Sequence, residues 1–269
     1  MTLLFSEAGL RRLDDIVRPG ILCVFDFDGT LSPIVTQPDK AHLPLDIRQR
    51  LVELSNHAPV AIITGRSVTD IRPRLEFEPD FLVGNHGLEG VPGWEQHSLH
   101  YEKLCRDWRH MLSAGLQDQT RFDPAIWIED KHYSLSVHYR LARDRSKAEM
   151  QLAELFAGLM PPARVIAGKC VFSLLPRDAA DKGSALEQLM RISGAHSAIY
   201  VGDDVTDEDV FQLRRRDLLS VRVEHAPGSA AEFFLHHWLD IVQLLDALIQ
   251  RLREQQARNT MQPTPANNT

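Results

Sequence analysis

Two aspartates one residue apart directly follow an apolar run, in the segment Asp-Phe-Asp-Gly-Thr at residues 26–30. In an open α/β sheet the carboxyl end of a strand faces the ligand crevice, so the carboxylates of Asp26 and Asp28 would project into the functional edge. One carboxylate could attack a phosphorus atom while the other serves as acid and base at the leaving oxygen. The alternative is a solvated Asp-Gly turn, in which Gly29 lets the chain bend sharply.

A second acidic segment, Gly-Asp-Asp-Val-Thr-Asp-Glu-Asp at residues 202–209, follows another apolar run. Carboxylates at this density repel one another unless a hard cation offsets their charge, and oxygen ligands without nitrogen or sulfur favour Mg²⁺. Asp203 is the strongest candidate ligand. We interpret residues 207–209 instead as the N-terminus of a helix, whose dipole tolerates acidic side chains.

Two shorter segments could bind a phosphoryl group. Lys182 lies in Asp-Lys-Gly-Ser at the start of a predicted helix, where its ammonium could neutralise phosphoryl oxygens. The alternative is an ordinary surface lysine at a helix end. Thr64, in Thr-Gly-Arg after the apolar run 60–63, offers a hydroxyl and a backbone N–H. Neither segment indicates a function by itself.

Short apolar runs that end in turn residues recur along the chain and are typical of buried strands in a parallel sheet. Segments with helical periodicity lie between them, for example Ile47, Leu51 and Leu54. Alternation of strand and helix predicts a doubly wound α/β sheet. The apolar runs are residues 21–25, 60–63, 81–83, 199–201 and 219–223.

The middle of the chain interrupts this alternation. An amphipathic helix through Trp108 precedes a segment at residues 133–139 in which apolar and polar residues alternate, which predicts an antiparallel sheet with one polar face. Another helix and a strand near residues 171–175 complete a predicted α-β-β-α-β insert, interpreted as a cap. The expected division is a core at residues 1–97 and 177–255, a cap at 98–176, and a disordered Gln-, Asn-, Thr- and Pro-rich tail at 256–269.

The composition excludes several classes of protein. With 43% hydrophobic and 25% charged residues in 269, the chain is expected to form a packed globular fold. Its net charge of -7, without a dense Lys/Arg block, excludes nucleic acid as an expected partner. Charges near the N-terminus interrupt any stretch of signal-peptide or membrane-spanning length, so we expect a cytoplasmic protein with no membrane partner. The three widely spaced cysteines suit a reducing compartment.

Taken in order, these segments resemble the haloacid-dehalogenase-like phosphohydrolases over nearly the whole chain. More particular segments resemble one family of that group, the trehalose-6-phosphate phosphatases. These segments are Gly-Asn-His-Gly-Leu-Glu at 84–89, Glu-Asp-Lys at 129–131, His-Tyr-Arg at 138–140 and Gly-Asp-Asp-Val-Thr-Asp-Glu at 202–208.

The resemblance implies a mechanism with a covalent intermediate. Asp26 would attack phosphorus, and Asp28 would protonate the departing sugar oxygen and then activate water against the aspartyl phosphate. Thr64 and Lys182 would hold the phosphoryl group, which agrees with phosphoryl transfer being mostly positioning and charge neutralisation. The implied Mg²⁺ ligands are the Asp26 carboxylate, the Asp28 backbone carbonyl and Asp203, with Asp204 close by.

The resemblance also implies a sugar-phosphate substrate, and one departure bears on it. Where the family usually has a glutamate that grips a glucose hydroxyl, this chain has Ser173, and Leu175 replaces a basic residue. Alternative interpretations are that the charged cap residues cover a solvated face and that His86 and His138 are structural. The expected substrate-binding residues are Gly65, Arg66, His86, Glu129, Lys131, His138 and Arg140.

The favoured function is therefore hydrolysis of trehalose 6-phosphate, with functional pairing to a trehalose-phosphate synthase implied by the resemblance. Ser173 keeps open another sugar phosphate or a glycosylated phosphoglycerate as substrate. A phosphomutase with a similar core is a further alternative. A catalytically silent binding module, the phosphatase-like partner of a sugar-phosphate synthase, is opposed by the presence of Asp26, Asp28, Lys182 and Asp203 together.

Overall fold

A computed structural model describes residues 1–261, apart from the side chains of residues 38, 95–98 and 259–261. The chain forms two compact units. The core unit comprises Met1–Gly87 and the described part of Asp181–Thr269, and the inserted unit comprises Leu88–Ala180. The inserted unit extends beyond the expected limits of 98 and 176 because residues at both of its ends, such as Leu88 and Ala179, pack in one apolar cluster.

The strands are short, and those of the core consist mostly of the apolar runs seen in the sequence. In order they are β1 (Thr2–Leu3), β2 (Ile21–Phe25), β3 (Val60–Ile63), β4 (Phe81–Val83), β5 (Trp127–Asp130), β6 (Leu135–His138), β7 (Arg164–Gly168), β8 (Val171–Leu175), β9 (Ser197–Gly202), β10 (Leu218–Val223) and β11 (Phe233–Leu235).

The helices begin at recognisable caps in several places, and Ser6, Ser67 and Asp144 each accept a backbone hydrogen bond at a helix N-terminus. In order the helices are α1 (Glu7–Ile16), α2 (Leu45–Ser55), α3 (Val68–Leu75), α4 (Glu95–Leu116), α5 (Arg145–Ala157), α6 (Lys182–Ser193), α7 (Glu208–Phe211) and α8 (Asp240–Met261).

The core unit is built on a seven-stranded parallel sheet in the order β1-β11-β10-β9-β2-β3-β4. All residues of β2 and β3 are buried, as a parallel sheet covered by helices requires. The prediction of a doubly wound α/β core is therefore confirmed. This topology places β2, β3 and β9 side by side, so the polar segments that follow them meet at one edge of the sheet.

The inserted unit contains a four-stranded antiparallel sheet in the order β5-β6-β8-β7. One face packs against α4 and α5 through residues such as Trp108, Phe156 and Val137. The predicted insert lacked one strand, β7, whose residues are mostly exposed and show no alternation of apolar and polar side chains. The prediction of a separate antiparallel sheet is confirmed, and its composition is α-β-β-α-β-β.

The end of the chain differs from the expected tail in part. Helix α8 continues to Met261, so residues 256–261 are helical, while residues 262–269 lie outside the described part of the chain. Gln, Arg and Ala prolong a helix at little cost even after its apolar stripe ends at Leu252. Within residues 1–261, no helix is both long and apolar enough to cross a bilayer.

Candidate active site

Asp26 stands at the carboxyl end of β2, the position from which a side chain reaches the edge of the sheet. Its backbone N–H donates to the Val201 carbonyl at 2.9 Å, which fixes the residue against β9. Only 4% of Asp26 is exposed. Its carboxylate Oδ1 lies 3.0 Å from Nζ of Lys182, so the burial of this anion is compensated by a cation.

Lys182 is the first residue of α6, and its neighbour Asp181 sets the start of that helix. The Asp181 carboxylate accepts the Ser184 backbone N–H at 2.8 Å, which caps the helix. The Lys182 side chain is 1% exposed. Burial lowers its pKa, but the charges of Asp207 and Asp26 outweigh burial and raise the pKa above its ordinary value. Lys182 is therefore a buried ammonium between two carboxylates, which excludes the alternative of a surface lysine.

Asp203 follows β9 and lies against the turn that carries Asp26. A Cβ atom at Gly29, where φ is +84°, would lie 2.1 Å from Oδ2 of Asp203. Glycine is therefore required at this position both for the turn and for the approach of the carboxylate. The Thr30 hydroxyl donates to Oδ1 of Asp203 at 3.4 Å, which adds a weak second contact.

Carboxylate oxygens of Asp26, Asp203 and Asp207 all lie within 4.8 Å of one another. Burial, and then the charges of neighbouring carboxylates, raise the pKa of Asp26 despite the opposing effect of Lys182. Burial followed by the charges of Asp207 and Asp204 raises the pKa of Asp203 to about 7. Three clustered carboxylates with one ammonium form an oxygen-rich, negatively charged site, and this donor set fits a hard divalent cation such as Mg²⁺.

Asp207 is a site residue that the sequence analysis missed. It is fully buried, and its Oδ1 accepts from Lys182 Nζ at 2.7 Å and from the Tyr200 hydroxyl at 2.6 Å. Its Oδ2 accepts the backbone N–H of Asp204 at 2.8 Å. Asp204, predicted to lie near the metal, is exposed and is not part of the described cluster. The signal in the sequence that could have identified it is its place in the family-like segment at 202–208.

Asp28 is oriented differently from Asp26. Arg66 binds its carboxylate side-on, with Nε 2.6 Å from Oδ2 and Nη2 2.7 Å from Oδ1. Arg66 in turn donates through Nη1 to Asp70 at 2.7 Å. Burial lowers the pKa of Arg66, but the Asp28 and Asp70 carboxylates raise it by more than burial lowers it. The guanidinium therefore stays charged. Arg66 therefore orients Asp28, a contact that the predicted substrate-binding role did not include.

The turn after β3 brings Thr64, Gly65 and His86 together. Thr64 is 1% exposed, and its hydroxyl oxygen accepts the Arg66 backbone N–H at 3.2 Å. A Cβ atom at Gly65 would lie 2.4 Å from the His86 ring, so glycine makes room for the imidazole. The backbone N–H of His86 donates to the Thr64 carbonyl at 2.9 Å. All these residues belong to the core unit.

The remaining predicted residues lie in the inserted unit. Nε2 of His138 and Oε2 of Glu129 are 2.8 Å apart, which is hydrogen-bond distance. Arg140 is exposed and donates to the Lys169 carbonyl at 2.7 Å. Lys131 is half-buried beyond the end of β5. These residues are therefore grouped within one unit, around β5 and β6.

The departures at positions 173 and 175 have different structural settings. Ser173 lies in β8 between Ser136 of β6 and Ile166 of β7. Leu175 is fully buried in the apolar cluster that joins the ends of the inserted unit. Arg164 is the cross-strand partner of Leu175 in the β7–β8 ladder. The basic residue that position 175 lacks is therefore present directly opposite it, on β7.

Comparison with known proteins gives the family. The family model described as trehalose-phosphatase matches residues 24–236. An uncharacterized glycosyl hydrolase of Mycobacterium tuberculosis is 34% identical over 257 residues, which cover 91% of this chain and 19% of the relative. A trehalose-phosphate phosphatase of Mycobacterium leprae is 32% identical over 263 residues, which cover 90% of this chain and 61% of the relative. The chain thus spans less than two thirds of the length of either relative.

Solved structures agree in fold. The C-terminal domain of Candida albicans trehalose-6-phosphate phosphatase has a TM-score of 0.71 at 21% identity, over 93% of this chain and 98% of that chain. At this identity the likeness concerns the fold alone. The matched region of the family model includes Asp26, Thr64, Lys182 and Asp203 together with the whole inserted unit. The chain belongs to the trehalose-phosphatase family.

Proposed function

We propose that this chain is a Mg²⁺-dependent phosphatase that hydrolyses trehalose 6-phosphate to trehalose and inorganic phosphate. One observation carries the proposal: the buried carboxylate of Asp26 contacts the Lys182 ammonium at 3.0 Å and clusters with Asp203. A buried nucleophile beside a fixed cation and a hard-cation site is the combination that phosphoryl transfer requires. Membership of the trehalose-phosphatase family supports the choice of substrate.

The proposed reaction has two steps. An oxygen of Asp26 attacks phosphorus, the bond from phosphorus to the sugar oxygen breaks, and Asp28, which must be protonated for this step, gives its proton to that oxygen. Asp28 then takes a proton from water as the water attacks the aspartyl phosphate, which releases inorganic phosphate and restores Asp26. Thr64, whose hydroxyl lies in the neighbouring turn, and Lys182 would hold the phosphoryl oxygens.

Lys182 and Arg66 have different proposed tasks. Lys182 keeps its charge and its position because Asp207 and Asp26 flank its ammonium. It would neutralise charge on the phosphoryl group without donating a proton. Arg66 is a positioning residue for the second step, since its side-on contact fixes the direction of the ionised Asp28 carboxylate that takes the proton from water.

The cation would be held by Asp26 and Asp203, with the Asp28 backbone carbonyl as the further ligand implied by the resemblance. When bound, Mg²⁺ supplies charge neutralisation and orientation of the phosphoryl group. Asp207 lies in the same cluster, but its Oδ1 already accepts from Lys182 and Tyr200. We therefore assign Asp207 to holding the lysine, and we leave the exposed Asp204 out of the ligand set.

We assign substrate specificity to the inserted unit, with Glu129, Lys131, His138 and Arg140 at the sugar. The core unit would carry the phosphatase chemistry, with Gly65 and His86 beside the phosphoryl-binding turn. A trehalose-phosphate synthase would supply the substrate, in the cytoplasm. Another sugar phosphate or a glycosylated phosphoglycerate is the second candidate substrate, because Ser173 lacks the carboxylate that would grip a glucose hydroxyl.

The experiment is a panel of phosphate esters assayed for released phosphate, with Mg²⁺ and with a chelator. We expect the highest kcat/KM with trehalose 6-phosphate and no release with the chelator. A higher kcat/KM for a glycosylated phosphoglycerate would replace the proposed substrate but keep the mechanism. Absence of release from every ester in Mg²⁺ would contradict the enzyme assignment and favour a silent binding module.

A further inference from the structure

An exposed tryptophan stands on the edge strand β5 of the inserted unit. Trp127 is 50% exposed, although large aromatic side chains are usually buried. One face of its indole stacks on the His138 imidazole, with ring centroids 4.1 Å apart and planes 9° from parallel. The exposed half must therefore be the opposite ring face and the ring edge.

The sheet and a neighbouring carboxylate fix the position of the stacked pair. Trp127 and His138 are direct cross-strand partners, so both side chains leave the same face of the sheet. Nε2 of His138 lies 2.8 Å from Oε2 of Glu129, which fixes the orientation of the imidazole. The indole thus has a defined position before any ligand arrives, and a preorganised contact loses little conformational entropy on binding.

Small hydroxyl side chains lie beside this pair on the same face. Glu129 is opposite Ser136, and Ser136 is opposite Ser173, so the three side chains form a row across the sheet. Ser136 is 1% exposed and is therefore covered, whereas Glu129 and Ser173 on either side of it are half-buried. The partly accessible polar groups of this row are therefore the Glu129 carboxylate and the Ser173 hydroxyl, on the same face of the sheet as the indole.

A flat apolar ring beside hydroxyl and carboxylate groups has the chemistry that binds a pyranose. A pyranose presents apolar C–H groups on its ring faces and hydroxyls around its rim, which match the indole and the polar row respectively. We propose that Trp127 is the stacking platform for a pyranose ring of the substrate and thereby determines sugar specificity. The inference rests on the proposed function, since it assumes that the substrate is a glycoside phosphate.

Kinetics test the inference with two substrates. In Trp127→Ala, kcat/KM for trehalose 6-phosphate should fall about threefold to tenfold, while hydrolysis of acetyl phosphate, which has no ring, stays unchanged. Trp127→Phe should keep most of the activity, because an aromatic face remains. Met150→Ala is the matched control, since Met150 is 65% exposed on α5 of the same unit. Equal kcat/KM for trehalose 6-phosphate in wild type and Trp127→Ala would overturn the inference.

Binding of trehalose itself tests the platform without turnover. Titration with trehalose should change the tryptophan fluorescence of the wild type, and the change should be lost in Trp127→Phe. Persistence of the full change in Trp127→Phe, or no change in the wild type, would overturn the inference. Failure of the proposed function has a different signature: trehalose 6-phosphate would not be hydrolysed by any variant, while the titration would still report whether Trp127 binds a sugar.

Discussion

Replacement of Asp207 by alanine should destabilise the protein strongly, because two buried side chains depend on its carboxylate. The Lys182 ammonium lies 2.7 Å from Oδ1, and the Tyr200 hydroxyl donates to the same oxygen at 2.6 Å. Removing one partner of a buried ion pair costs about 3–5 kcal/mol, and a buried donor left unpaired costs about 1–3 kcal/mol. Asp26 still faces Lys182 at 3.0 Å and offsets part of this loss, so we expect about 4 kcal/mol.

Urea unfolding in the presence of a chelator measures this loss without interference from bound metal. Asp207→Asn should lose less, about 1–3 kcal/mol, because a carboxamide oxygen can still accept from the Tyr200 hydroxyl. Asp204→Asn is the matched control and should stay within about 0.5 kcal/mol of the wild type, since Asp204 is exposed and asparagine caps a helix as well as aspartate does. Equal unfolding midpoints for Asp207→Ala and Asp204→Asn would refute the reasoning.

Three further predictions concern the metal, the acid/base residue and the sugar. Because burial raises the pKa of Asp203 to about 7 and a metal needs the ionised carboxylate, Mg²⁺ should bind about tenfold more weakly at about pH 6 than at about pH 8. Titration calorimetry measures both dissociation constants, and equal values would contradict the raised pKa of Asp203. Arg66→Lys keeps the charge but loses the side-on contact with Asp28, so kcat should fall about a hundredfold. Arg74→Lys, which shares Asp70 with Arg66, should keep the wild-type kcat, and an equal loss in both variants would disprove the positioning role. Ser173→Glu should lower KM for trehalose 6-phosphate with little change in kcat, whereas an unchanged or raised KM would show that position 173 does not face the sugar.

The parallel sheet and the site residues at its edge could be predicted from the sequence, because apolar runs there end in polar residues. The parallel sheet was predictable because the runs at β2, β3 and β9 are fully or almost fully buried, and a parallel sheet aligns their carboxyl ends. The structure accordingly brings Asp26 and Asp203 together. Such reasoning depends on local patterns, so it succeeds for strands buried on both faces.

Features that depend on tertiary contacts could not be obtained in this way. Asp207 looks like an ordinary helix N-terminal acid, and only the packing of Lys182 and Tyr200 shows that it points inward. The contact between Arg66 and Asp28 joins two loops that are distant in the sequence. Strand β7 is mostly exposed, so its residues lack the periodicity that identifies a half-buried strand.

The central claim is that Asp26 is the nucleophile of a Mg²⁺-dependent phosphatase, and one comparison tests it most directly. The initial rate of phosphate release from trehalose 6-phosphate is measured in Mg²⁺ for the wild type and for Asp26→Asn. A carboxamide has nearly the same shape as the carboxylate but is a poor nucleophile and a weaker metal ligand, so the variant should fold normally and release no phosphate. Substantial release by Asp26→Asn with the same Mg²⁺ dependence would contradict the account.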